Sequence, residues 1–225
     1  MTLEPVMWRV AVDGVEVSAA FDPCADESAP VFVLAHGAGG NLADRGVVTT
    51  AKTLREHGLH TVRFNFVYRE RKIARPDPMP RLMACIAAVV EQTKRELGAR
   101  RLIIGGRSMG GRAGSMLAAE GFACDGLLLL AYPLHPPKQH EKLRSAHLPQ
   151  IQVPVLCING TRDDFCSRTI MEDVLLTVGP QWRMHWVEGA DHSFHVLKSS
   201  GRNDSAVMQE IGGVTSDWLT SDDRR

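Results

Sequence analysis

The sequence predicts an α/β protein built on a doubly wound, mostly parallel sheet, with an antiparallel hairpin at its start. Three observations predict it. Six short segments are apolar along nearly their whole length, as strands covered on both faces are. Segments with a helical apolar period lie between most of them. Glycine follows four of these helical segments, where a left-handed residue commonly closes a helix. Strand–helix alternation with right-handed crossovers then places helices on both sides of one sheet.

Residues 8–12 and 15–20 alternate around Asp13-Gly14, a two-residue hairpin signal, and are expected to pair at one sheet edge. The apolar segments are 31–35 (VFVLA), 61–66 (TVRFNF), 101–105 (RLIIG), 126–132 (GLLLLAY), 155–159 (VLCIN) and 181–187 (QWRMHWV). Helices are expected over 47–57, 81–97, 109–120 and 166–178, each closed by Gly58, Gly98, Gly121 or Gly179. In the second of these, Leu82, Ile86, Val89, Val90 and Leu97 form one stripe. A last helix is expected over 206–219. The longest connections, near 68–80 and 133–154, are rich in proline, and no internal repeat is present.

With 225 residues, 44% hydrophobic and 23% charged, the chain suits one buried core, and a single domain over 1–225 is expected. Lys plus Arg (26) equals Asp plus Glu (26), so no global field holds a polyanion and no nucleic-acid partner is expected. The opening MTLEPVMWRV lacks a basic stretch followed by an apolar one, so no secretory leader is expected. The longest apolar run, 127–132, is too short to span a bilayer, and no membrane partner is expected. The five cysteines (24, 85, 124, 157 and 166) form no C-x-x-C pair, which points to a reducing, cytoplasmic setting rather than a disulfide framework. No motif specifies an oligomeric state.

Gly106-Arg107-Ser108-Met109-Gly110 matches G-x-S-x-G. The motif gains weight from its place, directly after an apolar strand and directly before a helix. A serine on such a turn takes a strained backbone, and the flanking glycines let strand and helix approach without Cβ clashes. The free N–H groups of the helix start then face the reacting carbonyl. An inert serine in a glycine-rich turn is the bland alternative.

A nucleophilic serine needs a base, and the base needs an orienting carboxylate. Gly160-Thr161-Arg162-Asp163-Asp164 follows one strand, and Glu188-Gly189-Ala190-Asp191-His192 follows the next. Chemistry in open α/β sheets lies beyond the carboxyl ends of the strands, so Ser108, an Asp and His192 should converge there. Asp163 is favoured over its neighbour Asp164 because its spacing from Gly160 fits a short turn off the strand. His195 follows His192 by three residues, but no third ligand lies at metal-like spacing, so no metal site is expected. His36-Gly37-Ala38-Gly39-Gly40 offers backbone donors for an oxyanion, and the N–H groups of Ala38 and Met109 are the two candidates. The same loop lacks the lysine and hydroxyl of a P-loop, so no nucleotide is expected.

With HGAGG, GRSMGG, GTRDDF and GADHSF in this order, the chain resembles the α/β-hydrolase superfamily. Within it, the chain is similar to the small dienelactone-hydrolase-like group that includes testis-expressed protein thirty and its bacterial relatives. Arg63-Phe64-Asn65-Phe66 and the stretch 132–156 (YPLHPP…KLRSAHLPQIQVPVL) add to the likeness, which covers residues 28–220. It implies a Ser108–Asp163–His192 triad, for which the expected reaction is hydrolysis of a small-molecule ester or thioester with no cofactor. It also implies that the usual cap is missing or reduced to the segment near 133–152. Dienelactone hydrolase itself carries cysteine at the elbow, so that particular lactone is not implied here. Some relatives serve as subunits of larger assemblies, which makes a non-catalytic scaffold the alternative, beside a peptidase or thioesterase using the same triad.

Substrate contacts are less legible. Arg69 heads a basic stretch with Arg71, Lys72 and Arg75 after a strand end; it marks either an anionic substrate or a solvated loop balanced by Glu70 and Asp77. Tyr132 and His135 are candidates for the pocket wall, unless the prolines after His135 only stiffen the connection. Arg107 and Arg112 flank the elbow and receive no role.

Overall fold

The structure is a computed structural model that describes residues 4–222. The ends of the expected 1–225 domain, including the first residues of the opening segment, lie outside the described residues. β1 (Val6–Val12) and β2 (Val15–Asp22) pair antiparallel through a turn in which Asp13 (φ 48°) and Gly14 (φ 74°) are both left-handed. Such a turn matches the twist of the strands it joins.

The remaining strands are β3 (Val31–Ala35), β4 (His60–Phe64), β5 (Leu102–Arg107), β6 (Gly126–Leu130), β7 (Val155–Gly160) and β8 (Trp182–Val187). They form one sheet in the order β1-β2-β4-β3-β5-β6-β7-β8, antiparallel as far as the β2–β4 pair and parallel from β4 onward. The helices are α1 (Arg45–Glu56), α2 (Val67–Glu70), α3 (Met79–Leu97), α4 (Met109–Ala119), α5 (Arg168–Leu175) and α6 (Asp204–Asp222). Among the described residues, no helix is long and apolar enough to cross a membrane.

The central strands β3, β5, β6 and β7 are buried nearly throughout because each face meets a helical layer, whereas the edge strand β8 is only partly buried. On one side Phe32, Leu34, Ile103, Leu128 and Leu156 pack with residues of α1 and α6, including Leu54, Ile211 and Trp218. On the other Val31, Val33, Ile104, Leu127 and Leu129 pack with Leu82, Ile86 and Val89 of α3, Ala113 of α4 and Met171 of α5. Neighbours along a strand therefore belong to different cores, the period-two rule acting on an all-apolar segment. At the hairpin edge the buried Arg63 binds Asp22 with two bonds, Nε to Oδ2 at 2.6 Å and Nη2 to Oδ1 at 3.0 Å, which locks β2 to β4.

Several boundaries depart from expectation. β4 ends at Phe64, not 66: Asn65 N–H still reaches the Ser18 carbonyl on β2, but Ser18 N–H goes to the Glu70 carboxylate and Phe66 N–H turns to the His36 ring. The four-residue helix α2 that follows was not foreseen. β6 stops at Leu130, before the left-handed Ala131 (φ 52°). α5 stops at Leu175: i→i−3 bonds from Leu176 and Thr177 tighten the last turn, and Leu176 is 86% exposed, so no apolar surface rewards a further turn. Gly179 consequently does not close that helix, whereas Gly58, Gly98 and Gly121 are left-handed as expected.

One glycine decides how closely β5 lies against β3. Gly106 has φ 134°, and a Cβ there would lie 2.1 Å from the Ala35 carbonyl oxygen on β3. That backbone cannot yield without breaking the β3–β5 ladder. Gly106→Ala is expected to destabilise the fold by more than about 4 kcal/mol, read from its denaturation midpoint. A midpoint matching the wild type would show that the strands can part at no cost.

Candidate active site

Sheet order sets the location. From β3 the chain first steps to β4 on one side, then returns to place β5 on the other, so the carboxyl ends of β3 and β5 form a switch point. Crevices at switch points are where open α/β sheets hold ligands. The loop after β3 and the elbow after β5 meet there: Gly37 faces Ser108, a Cβ on it falling 3.6 Å from the Ser108 Cβ.

Ser108 sits between β5 and α4 with φ 50° and ψ −116°, a conformation costly for any residue with a side chain. Its N–H donates to the Leu130 carbonyl (2.9 Å), and its own carbonyl receives Arg112 N–H (2.9 Å) as the first turn of α4 closes. The strain is held by both neighbours of the turn, and it lifts the hydroxyl out of the sheet plane.

Asp163 and His192 arrive from the loops after β7 and β8. Those loops lie against each other because Gly160 has no side chain; a Cβ there would fall 2.1 Å from the Ala190 oxygen. Arg162 N–H also donates to that oxygen (2.9 Å). Nδ1 of His192 lies 2.9 Å from both carboxylate oxygens of Asp163, and Nε2 lies 2.9 Å from Ser108 Oγ. Nδ1–H therefore donates to Asp163, leaving Nε2 as acceptor for the serine O–H. The Asp163 side chain is fully buried. Two further donors serve it: Asn159 Nδ2 at 3.1 Å from Oδ2 and Phe165 N–H at 2.8 Å from Oδ1. The ring of Phe165 lies 4.3 Å from the imidazole and walls it on one side. Asp164 is exposed and outside this chain of bonds.

Met109 is the first residue of α4, so its N–H has no acceptor within the helix. The Ala38 peptide is held at both ends. His36 Nδ1–H donates to the Gly37 carbonyl (2.8 Å), which fixes the plane carrying Ala38 N–H, and Tyr68 O–H donates to the Ala38 carbonyl (2.7 Å). The second ring nitrogen of His36 accepts from Phe66 N–H (3.3 Å), so the ring works only when neutral. Burial lowers its pKa from 6.5 to about 4. The unfolded chain thus takes up a proton near pH 6.5 that the native state refuses until about pH 4, and stability falls as pH drops through that window. The loss from this group is up to roughly 3 kcal/mol. In His36→Asn the slope of unfolding free energy against pH should be shallower by about one proton between pH 6.5 and 4; an equal slope would exclude this role.

Ser108, His192, Ala38, Val47, Arg107 and Phe165 line a cavity of about 390 Å³. Of the candidate substrate contacts, none lines it. Tyr132 is a correction: it is 1% exposed, packed in the core beneath α4, with its O–H donating to the Arg144 carbonyl (2.6 Å). His135 is likewise buried, with Nδ1–H on the Pro136 carbonyl and Nε2 receiving Ser167 N–H, and it borders a separate cavity behind Asp163. Both residues hold the 133–152 connection in place; it contains no α-helix, only the short 3-10 turn Leu148–Gln150. Arg69 lies beside His36 and Tyr68, and its buried Nε has no acceptor. Asn159, Phe165, His36 and Tyr68 were not singled out from the sequence. Asn159 stands out only as a polar residue closing an apolar strand, and His36 and Phe165 only as members of the HGAGG and GTRDDF motifs.

A serine on a strained strand-to-helix turn thus meets an acid and a histidine from later loops at the carboxyl edge of a doubly wound sheet. Residues 28–220 match the family described as alpha/beta hydrolase domain, and the chain belongs to that family. Its fold is also that of several solved structures. Est1E from Butyrivibrio proteoclasticus is 16% identical with a TM-score of 0.75, over 95% of this chain and 99% of that one. A dienelactone hydrolase from Anabaena variabilis is 16% identical with a TM-score of 0.72, over 97% and 99%. XC6422 from Xanthomonas campestris, described as an α/β serine hydrolase without lid, is 20% identical with a TM-score of 0.74, over 98% and 96%.

Proposed function

We propose that this protein is a serine hydrolase that cleaves a small-molecule ester or thioester through an acyl-enzyme on Ser108. The observation that carries this reading is the unbroken chain of bonds from Asp163 through His192 to Ser108, ending on a strained serine. Ser108 Oγ attacks the carbonyl while Nε2 of His192 takes its proton, and the buried Asp163 carboxylate stabilises the imidazolium. The carbonyl oxygen, now an oxyanion, turns to the N–H groups of Ala38 and Met109. His192 then gives the proton to the leaving alcohol or thiol. A water, deprotonated by the same nitrogen, releases the acid and restores the serine. Esterases among proteins of the same fold support the ester class.

The test is a fluorophosphonate probe on the folded protein, followed by p-nitrophenyl esters of increasing acyl length and an acyl-CoA. Labelling together with turnover supports the reading, and the acyl series separates esterase from thioesterase. A folded protein that neither labels nor turns over is a scaffold, and preference for aminoacyl substrates makes it a peptidase.

A further inference from the structure

A second cavity, of about 510 Å³, lies between α1, the 193–195 turn and the start of α6. Arg107 and Gly46 border both this cavity and the one over Ser108. Gly46 seats the guanidinium, for a Cβ on it would fall 2.9 Å from Arg107 Nη1. Arg107 is thus the partition between the two spaces, one residue from the nucleophile.

Its bonding is incomplete. Of five guanidinium donors it uses one, Nη2 to the His192 carbonyl at 3.1 Å. Asp191, Asp163 and Asp44 lie in its field, yet among the described residues none forms an ion pair with it. Each is committed elsewhere. Asp44 receives the backbone and side-chain N–H of Asn41, Asp163 receives His192, Asn159 and Phe165, and Asp191 receives the N–H groups of Ser193 and His195. Other charges around the second cavity are paired, Lys52 with Glu56 and His195 with Asp204. Arg45, exposed at the first turn of α1, makes no ion pair or hydrogen bond through its side chain among the described residues, although Asp204 lies in its field. Two guanidinium groups with vacant donors therefore border one space. A partly desolvated guanidinium binds a planar or tetrahedral oxyanion through paired, charge-assisted bonds.

We propose that this second cavity is a subsite for a negatively charged group of the substrate, a carboxylate or a phosphate, held by Arg107 and Arg45. The inference rests on the hydrolase reading and narrows its substrate class to esters or thioesters bearing such a group. Since Arg45 is exposed, the preference weakens as ionic strength rises.

The experiment compares charged esters with neutral partners of the same size. On the acyl side these are mono-p-nitrophenyl glutarate, p-nitrophenyl 4-phosphonobutanoate and the methyl ester of the glutarate. On the leaving side they are 4-acetoxybenzoate and its methyl ester. The wild type is expected to favour at least one charged member about tenfold in kcat/KM, and the better of glutarate and phosphonate identifies carboxylate or phosphate. Arg107→Gln should bring that ratio to one or below, and Arg45→Gln, at an exposed position, should lower it in part. Reading the ratio within each variant cancels any general loss from a shifted His192 loop. Neutral esters cleaved with no charged preference, or an unchanged ratio in Arg107→Gln, overturn the subsite while the hydrolase reading stands. If no ester is turned over, the hydrolase reading falls, and calorimetry on Ser108→Ala with glutarate and inorganic phosphate decides the anion site. Saturable binding that disappears when Arg107→Gln is added supports it; no saturable binding overturns it.

Discussion

A Ser108→Ala protein is expected to fold like its parent and to hydrolyse an activated ester about 10⁴ to 10⁶ times more slowly. The substitution removes one oxygen and leaves the surrounding framework untouched. Ser108 N–H still reaches the Leu130 carbonyl, and α4 still closes on the Ser108 carbonyl. Without the hydroxyl, His192 has no proton to take at Nε2 and no acyl-enzyme forms. The donors at Ala38 and Met109 remain, so a residual acceleration over water should persist. Kinetics with p-nitrophenyl acetate, beside thermal melts of both proteins, make the comparison. A variant that keeps its covalent label and more than a hundredth of its activity would place the nucleophile elsewhere.

Asp163→Asn should cost about 10⁴ in kcat, while Asp164→Asn should change it by less than about threefold. The asymmetry follows from the bonds around the buried carboxylate. Asn159 Nδ2 and Phe165 N–H donate to its two oxygens, and the imidazole Nδ1–H donates to both. An amide in that place has to aim its NH₂ at a donor, and the simplest escape is to turn the imidazole to the tautomer that cannot accept from serine. Asp164 faces solvent and enters none of these bonds. Collapse of activity in the Asp164 variant, with Asp163→Asn active, would reverse the assignment of the acid.

How far the sequence could be followed depended on the range of each interaction. Strand positions were readable because burial on both faces leaves an apolar run, as in 31–35, and in 126–132 apart from its last two residues. Helix ends at Gly58, Gly98 and Gly121 were readable because a left-handed closing residue is a local requirement. The end of α5 was not, since Gly179 looked like such a residue while the exposed Leu176 had nothing to pack against. Tyr132 and His135 were drawn toward the pocket by their place after a strand, yet packing took them inward to hold a connection that their own neighbours cannot fold alone. His36 and Tyr68 were passed over for the opposite reason. Each orients the Ala38 peptide, but the bonds that show it join groups up to 30 positions apart.

What the sequence by itself determined was the layering of the sheet, the strand-to-helix setting of Ser108, and the order in which Ser108, Asp163 and His192 follow one another. These are local or periodic properties, and residue type carries them. Only the tertiary structure brought Asp163 and not Asp164 against the His192 imidazole, set that ring on Ser108, excluded Tyr132 from the cavity and put Arg107 between two spaces. Those outcomes depend on how closely separate loops approach. That approach is governed by contacts such as Gly160 on Ala190 and Gly46 beneath Arg107, between residues distant in the chain and adjacent only in the folded molecule.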